Sequence, residues 1–254
     1  MAAAADPSDD SGNSSDEEIH NFYEHIPKKY LRSYPNPYLD DHGIKIPFMG
    51  LVVAGTGAGK SNLVMNLIDK FHGLATFPGG IWILTKNRDE PLYNALTEAI
   101  PEIVIREVRS EKTRVGWTLT NLPDLDEEFK VSEASLIIFD DLVAEKEQAL
   151  VKIEQFYIRA RKKGCSCLFL SQSYFKTPVT IRLNLHYLFL LKLSTDRDLK
   201  MILNEYSIGV DRRALLAMYQ FATRERFNFL LIDIAAPLQR RYRHNFRRRF
   251  SIDV

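Results

Sequence analysis

The chain has 254 residues, of which 45% are hydrophobic and 26% are charged, and its formal net charge at pH 7 is +1. This composition fits one large globular domain with short tails. The sequence contains no apolar stretch as long as a membrane span, and its N-terminus is acidic where a signal peptide would be basic, so we expect an intracellular protein with no transmembrane segment.

Opposite charges gather at the two ends of the chain. Residues 1–18 contain six acidic side chains and no Lys or Arg, whereas residues 239–250 contain six arginines and no acid. We predict a disordered acidic tail over residues 1–20 and a Tyr- and Pro-rich arm over residues 21–47, which packs on its own domain or on a neighbouring subunit. A folded domain over residues 48–236 and a basic tail over residues 237–254 complete the predicted organisation.

A glycine-rich turn follows the first strand-like segment of the folded domain. The apolar run Leu51–Ala54 leads into it, and helical apolar spacing resumes from Leu63 to Ile68. A strand, a tight loop and a helix in this order form a phosphate-binding P-loop, because backbone N–H groups and the positive end of the helix dipole converge on one point. The predicted nucleotide-binding residues are Gly55, Thr56, Gly57, Ala58, Gly59, Lys60 and Ser61.

Each part of this loop has a predicted task. The glycines permit positive φ angles and close approach of a ligand. Lys60 would reach the β- and γ-phosphates, and the Ser61 hydroxyl would bind Mg²⁺. The strict motif has glycine at position 54, where this chain has Ala54, so we expect a negative φ angle there.

Strand-like and helix-like patterns alternate beyond this loop, which is typical of an α/β fold with a largely parallel sheet. The next predicted elements are a strand over residues 80–85, a helix over 91–100 and a strand over 103–105. We also expect an edge strand near Trp117. We therefore predict a mostly parallel central sheet flanked by helices.

The apolar run Ser135–Phe139 ends in two carboxylates, Asp140 and Asp141. A continuous apolar run indicates a strand buried on both faces, and its carboxyl end lies at the sheet edge where open α/β folds bind ligands. This pattern matches a Walker B element. Asp140 would hold Mg²⁺ together with Ser61, and Asp141 would polarise the attacking water, although many related NTPases carry glutamate at that position.

A helix predicted over residues 144–163 ends at Gly164, and a second buried strand runs from Cys165 to Gln172. Gln172 would then lie at the same sheet edge, placed to sense the γ-phosphate or to orient water. The two cysteines, Cys165 and Cys167, are expected to be reduced core thiols, because a disulfide at this spacing would be strained.

The remaining predicted elements continue the same alternation. A strand spans residues 185–193, a helix with Thr195 as its N-cap reaches about Tyr206, a further helix covers 212–221, and a last strand covers 227–232. No internal repeat is present in the sequence.

The set of motifs resembles a known group of enzymes. Its members are Ala54–Ser61, Asp140-Asp141, Arg161–Ser166, Ser171–Tyr174 and Pro178–Asn184. Together they are similar to the genome-packaging ATPases of poxviruses, other large DNA viruses, virophages and related DNA transposons, within the FtsK/HerA group of P-loop motors. The resemblance spans about residues 46–206.

The resemblance implies an additional-strand, RecA-like ATPase core that uses ATP and Mg²⁺, assembles into a ring and drives double-stranded DNA into a preformed capsid. Capsid or portal proteins are the implied partners, and the host-cell cytoplasm or the viral factory is the expected location, with virion association and the nucleus left open. An arginine from a neighbouring subunit should complete the site, where such a group is worth about 10³–10⁵ in rate. Arg161 and Arg182 are the two candidates, and Arg197 is the third.

Other functions remain compatible with the sequence. P-loop kinases share the first motif, although the paired aspartates favour water as the phosphoryl acceptor. A nucleotide-gated scaffold for capsid or coat assembly is the non-enzymatic alternative, and the Tyr-rich arm favours it. The C-terminal arginines suit contact with DNA phosphates, but they also fit a nuclear-import signal or a dock for an acidic capsid surface.

Overall fold

The structure is a computed structural model that describes residues 20–252, so the predicted acidic tail lies outside the described residues except for His20. Residues 20–33 form one unit, with short 3-10 turns at Phe22–Glu24 and Lys28–Tyr30. Residues 34–252 belong to a second, much larger unit. Across the described part of the chain, no helix combines the length and the apolarity needed to cross a bilayer.

The larger unit alternates strands and helices, as the sequence predicts. In chain order its elements are α1 (Leu39–His42), β1 (Met49–Val53), α2 (Lys60–Lys70), β2 (Ile81–Thr85), α3 (Pro91–Ala99), β3 (Val104–Glu107), β4 (Arg109–Thr113), β5 (Gly116–Thr120), β6 (Ser135–Asp140), α4 (Glu147–Arg159), β7 (Cys165–Ser171), α5 (Val179–Leu183), β8 (Tyr187–Leu190), α6 (Asp196–Tyr206), α7 (Arg212–Ala222), β9 (Leu230–Asp233), α8 (Leu238–Arg241), β10 (Tyr242–His244) and β11 (Arg248–Arg249). Short 3-10 turns also occur at Gly73–Ala75 and Ala160–Lys163.

Nine strands form the main sheet in the order β11-β10-β9-β8-β1-β7-β6-β2-β3. The strands from β8 to β3 in this order are mutually parallel, and β9, β10 and β11 extend the sheet with antiparallel pairing. β7 lies between β1, which leads into the P-loop, and β6, which ends in the aspartate pair, and so forms an additional strand between them. The predicted fold class is thereby confirmed.

Helices cover both faces of this sheet because successive strand residues point to opposite faces and both sets are apolar. In β1, Leu51 and Val53 pack with α4, α6 and α7, whereas Val52 packs on the other face with α2 and α3. All five residues of β1 are buried. A strand buried on both faces holds its carboxyl end in a fixed position, and this end carries the P-loop.

Local residue chemistry explains several element ends. The Thr195 side chain caps α6 by accepting a hydrogen bond from the Asp198 backbone N–H, as predicted. Gly164, at φ 79°, ends the turn before β7 in the left-handed region, where glycine is favoured. Both cysteines are free and buried in the described structure, in agreement with the expectation of reduced thiols.

In two segments the structure adds to what the sequence predicts. The strand near Trp117 exists, but it pairs with β4 in a separate two-stranded sheet, with Lys112 opposite Trp117. Residues 178–184, for which the sequence predicts no helix or strand, contain the short helix α5. A proline at the residue before α5 suits a helix start, since its φ angle is already helical and it has no N–H to satisfy.

The second half of the Tyr- and Pro-rich arm packs on the larger unit. The Tyr34 hydroxyl donates to the Val131 carbonyl at 2.7 Å, and the Asn36 side chain donates to the Ile44 carbonyl at 2.9 Å. Ile44 is fully buried. For residues 34–47, the choice left open by the sequence is therefore decided in favour of the chain's own domain.

The segment predicted as a basic tail carries two strands of the main sheet. β10 pairs with β9, Tyr242 is 1% exposed, and the Tyr242 hydroxyl donates to the Tyr206 carbonyl at 2.6 Å. Phe246 packs edge-to-face against Phe229. The arginine-rich composition hides this pattern, because aromatic residues between the arginines supply the buried contacts. The folded domain thus continues past residue 236, where the sequence predicts its end.

We expect Tyr242→Ala to lower the free energy of unfolding by about 3–5 kcal/mol, because it removes a large buried aromatic ring. Tyr242→Phe should cost only about 1 kcal/mol, the typical value of the lost hydrogen bond. Chemical denaturation followed by circular dichroism measures both, with Gln239→Ala as an exposed control in the same segment. If Tyr242→Ala and Gln239→Ala destabilise equally, the C-terminal strands contribute nothing to the fold.

Candidate functional site

The loop between β1 and α2 has the backbone geometry that phosphate binding requires. Gly57 and Gly59 adopt φ angles of 71° and 103°, whereas Ala54 is not among the residues with positive φ in the described chain. Alanine at the position of the first motif glycine is therefore unstrained. Lys60 is the first residue of α2, so the N–H groups of the first turn, which form the positive end of this helix, directly follow the loop.

Position 55 has no room for a side chain, so it requires glycine. A Cβ atom there would lie 2.2 Å from the Ser194 Oγ atom, and the Gly55 N–H donates to the Lys192 carbonyl at 2.8 Å. Lys192 and Ser194 follow β8, the strand beside β1. The neighbouring parallel strand thus holds the start of the loop in place.

Lys60 lies near both predicted carboxylates. Burial lowers the pKa of Lys60, and the negative charges of Asp140 and Asp141 oppose this change by raising it. The ammonium group therefore stands half-buried between a helix start and two acids. It lacks full hydration, so an incoming phosphate would be a strong additional partner for its charge.

Asp140 ends β6 and accepts a hydrogen bond from the Tyr93 hydroxyl at 2.7 Å. Burial raises the pKa of Asp140, and the hydrogen bond from Tyr93 opposes this by favouring the carboxylate. The pKa of Tyr93 is raised by burial and then by the Asp140 charge, while the neighbouring Ser61 hydroxyl lowers it. Ser61, Tyr93 and Asp140 consequently meet in one place.

Tyr93 is a site residue that the sequence did not reveal. It lies on the buried face of α3 beside Leu96, and its ring is fully buried. A buried tyrosine normally satisfies its hydroxyl, but no local pattern identifies a partner 47 positions away. Only the pairing of β2 with β6 brings α3 to Asp140.

A second hydrogen-bonded chain joins three segments at the same edge of the sheet. The Thr56 hydroxyl donates to Gln172 Oε1 at 3.2 Å, and Gln172 Nε2 donates to Asp141 Oδ1 at 3.3 Å. Asp141 is exposed, with a φ angle of 56°. The carboxylate that the sequence predicts as the water-polarising group is thus oriented by an amide from β7 and connected to the P-loop.

The donor set suits a small hard cation shared with a phosphate. Ser61 supplies a hydroxyl oxygen and Asp140 a carboxylate oxygen, which are ligands that Mg²⁺ prefers. Among residues 20–252, no cluster of three or more His, Cys, Asp or Glu side chains could hold a metal alone. A cation here would therefore keep several waters and also bind a ligand.

The three candidate arginines lie outside this cluster in their own chain. Arg182 is held by Glu205 at 2.9 Å and by the Tyr174 ring, and its side chain is only 13% exposed. Arg197 stacks on the Phe175 ring with its guanidinium carbon 3.2 Å from the centroid.

Arg161 lies in the turn before β7, at the amino edge of the parallel strands, and contacts His186 at 3.2 Å. Whether any of the three arginines acts in a neighbouring subunit stays a prediction.

A cavity of about 350 Å³ opens beside the P-loop. Its walls are formed by residues 55–58 of the loop, residues 192–194 after β8, and residues 223–228 between α7 and β9. The ring of Phe227 lies against Gly59, where an added Cβ would approach it to 2.5 Å, and the Arg226 guanidinium carbon lies 4.6 Å from the ring centroid. The sequence predicts a strand over residues 227–232, but Phe227 has a φ angle of 72° and lies in the loop before β9, which begins at Leu230. The segment matches no known motif, so the sequence did not reveal it as part of the site.

A protein-family model described as "Poxvirus A32 protein" matches residues 38–235 of this sequence. No curated protein matches it.

Several solved structures are similar in fold. The genome packaging NTPase B204 from Sulfolobus turreted icosahedral virus 2, in complex with ATP-gammaS, superposes with a TM-score of 0.51 at 12% identity, over 79% of this chain and 98% of that one. B204 from Sulfolobus turreted icosahedral virus gives 0.51 at 13% identity, over 80% and 98%. The cytoplasmic domain of the type VII secretion ATPase EccC from Thermomonospora curvata gives 0.52 at 14% identity, over 81% and 26%. At these identities the likeness establishes the fold.

We expect Tyr93→Phe to raise the pKa of Asp140 further, because the phenol donates a hydrogen bond that favours the ionised carboxylate. Side-chain carbonyl NMR of aspartate-labelled protein, titrated with pH and assigned with Asp140→Asn, measures the change. Tyr242→Phe removes a buried hydroxyl in β10 that does not contact Asp140, so it should leave the Asp140 titration unaltered. An Asp140 midpoint that is equal in Tyr93→Phe and the parent protein would contradict the assigned role of Tyr93.

Proposed function

The chain belongs to the poxvirus A32 protein family, and from this membership we propose that it is an ATP-hydrolysing motor that moves double-stranded DNA into a preformed capsid. The observation that carries the proposal is the meeting of three strand ends at one sheet edge: the P-loop after β1, Asp140 and Asp141 at β6, and Gln172 after β7. The fold shared with B204, which is described as a genome packaging NTPase, supports it.

The P-loop would bind the phosphates of ATP. Backbone N–H groups at the start of α2 face the ligand, and Lys60 places a positive charge beside it. Mg²⁺, held by Ser61 and Asp140 together with waters, would neutralise phosphate charge when bound. The cavity lined by residues 223–228 adjoins the loop and is large enough for the base and sugar, with the Phe227 ring as one wall.

Asp141 would orient and deprotonate the attacking water. One of its oxygens accepts a hydrogen bond from Gln172, which leaves the other oxygen of this exposed carboxylate to accept from water. Gln172 also accepts from Thr56, so a displacement of the P-loop on binding phosphate would be transmitted to the base. The bonds between these three side chains give the site a way to couple nucleotide occupancy to catalysis.

We further propose that the motor works as a ring around double-stranded DNA, docked to a capsid or portal protein, and that an arginine from the neighbouring subunit completes each site. The support for the arginine is that Arg161, Arg182 and Arg197 all lie outside the site of their own chain. A motor that turns over only when assembled needs such a group in trans. The host-cell cytoplasm or viral factory stays the predicted location.

Lys60→Ala should lower the rate of ATP hydrolysis by more than about 10²-fold, because it removes a preorganised positive charge from the transferring phosphate. Phosphate release measured with and without DNA tests this, and Lys70→Ala provides an exposed control at the end of the same helix. Hydrolysis by Lys60→Ala at the parent rate would rule out the P-loop as the active site.

Asp141→Asn should reduce kcat by about 10²–10⁴, the usual contribution of a general base, with little change in KM. Asn preserves the size of the side chain and can still accept from Gln172, so nucleotide binding should persist. Steady-state kinetics separates the two parameters, and Asp89→Asn serves as a control on an exposed loop. A variant that loses affinity for ATP but keeps kcat would mean that Asp141 binds nucleotide instead of activating water.

A further inference from the structure

A second cavity, of about 620 Å³, lies at the opposite edge of the sheet from the P-loop. Its walls include Phe48, Arg161 and His186, which come just before β1, β7 and β8 along the chain. These strands are parallel, so the residues that precede them meet at the amino edge. We call this space the amino-edge cavity. It is separated from the nucleotide site by the length of the strands.

The amino-edge cavity is strongly cationic. Two carboxylates, Asp40 and Asp233, face six cationic side chains: Lys45, Arg161, Arg240, Arg243, Arg247 and Arg249. Asp233 is already bound by Arg243 at 3.3 Å. Among the ion pairs formed by residues 20–252, none includes any of the other five cations. A concave surface with this excess of unpaired positive charge attracts anions.

At the Arg161 end of the cavity, two hydrogen-bond donors face each other. His186 Nδ1 accepts from the Met49 backbone N–H at 2.9 Å, so in the neutral ring the proton resides on Nε2. Burial, and next the charge of Arg161, lower the pKa of His186 and so favour its neutral form. His186 Nε2 lies 3.2 Å from Arg161 Nη1, which can only donate. An acceptor oxygen that bridges the two groups, at hydrogen-bond distance from each nitrogen, would satisfy both.

Arg243 fixes the inner wall of the same cavity. It is only 6% exposed, and its guanidinium donates to the carbonyls of Gly43 and Phe246 at 3.0 Å each. Its Nε atom is buried without a hydrogen-bond partner. A third donor near this cavity therefore lacks an acceptor, although Asp233 already compensates the charge of this guanidinium.

We propose that the amino-edge cavity binds backbone phosphates of the translocated nucleic acid, with Arg161 and His186 holding one phosphate and Arg240, Arg247 and Arg249 meeting its neighbours. The donors point to an anionic oxygen ligand, and arginine forks match phosphate geometry. Cations spread over several elements suit a chain of phosphates better than a single anion. The existence of an anion site rests on this geometry alone, whereas the choice of nucleic acid rests on the proposed function.

This placement revises how the C-terminal arginines would contact DNA. These arginines are not part of a free tail, because β10 and β11 belong to the main sheet and hold this segment at its edge. Deleting them would remove strands from the sheet and would test stability more than binding. Single substitutions of exposed arginines are therefore the informative changes.

The test is equilibrium binding of a fluorescein-labelled DNA duplex to the full chain, followed by anisotropy over a range of salt concentrations. We expect Arg247→Gln/Arg249→Gln to weaken binding by roughly tenfold or more near physiological salt and to reduce the salt slope by about one unit per lost contact, equally for unrelated sequences. Arg161→Gln should reduce the slope by about one unit. Arg212→Gln/Arg213→Gln, a matched pair on α7 outside the cavity, should change neither quantity.

Thermal melting of each variant confirms that the fold is retained before binding is compared. Unchanged affinity and slope in both the double variant and Arg161→Gln would overturn the proposal. It is also overturned if Arg161→Gln leaves DNA affinity intact but abolishes ATP hydrolysis, since the cavity would then face a neighbour's nucleotide. If Lys60→Ala keeps full ATPase activity while the arginine variants lose DNA binding, the proposed active site fails and this inference stands.

Discussion

The parallel pairing of β1, β7 and β6 is the constraint on which the site depends. Because the three strands run in one direction and in fixed register, the residues that follow their carboxyl ends meet within hydrogen-bonding distance. β7 has the central place: its Gln172 reaches Thr56 on one side and Asp141 on the other. If β7 lay elsewhere in the sheet, the P-loop and the aspartate pair would still lie at the same edge, but Gln172 could not form hydrogen bonds to both.

Burial has opposite consequences for the ionisable groups of this edge. It lowers the pKa of Lys60 and raises that of Asp140, so each group is held away from full hydration in its charged form. The phenol of Tyr93 and the mutual attraction of Lys60 and the two acids offset part of this cost. Because these charged groups are incompletely hydrated, an incoming phosphate and cation would stabilise them strongly. This incomplete hydration raises the affinity of the site for a charged ligand.

The two edges of the sheet have different chemistry. The carboxyl edge combines carboxylates, a lysine and an amide around a phosphate-binding loop, whereas the amino edge gathers arginines with few acids to balance them. The C-terminal strands matter to both, since β9 follows the loop of Phe227 beside the P-loop and β10 carries Arg243 into the amino edge. Residues 223–249 thus contribute to both edges of the sheet.

The sequence by itself determined the α/β class, the P-loop, the aspartate pair and the strand that carries Gln172, because each rests on contiguous residues whose periodicity or backbone demand is local. It also located Thr195 and Gly164 at element ends. The tertiary structure alone decided what depends on strand order and distant contacts: the Tyr93–Asp140 bond, the cavity beside Phe227, and the opposing donors of Arg161 and His186. The C-terminal segment shows the limit most clearly, since its arginines dominate the composition while Tyr242 and Phe246, buried against residues far along the chain, decide that it belongs to the sheet. Local pattern fixes which residue types are present, but only long-range strand pairing determines which of them meet.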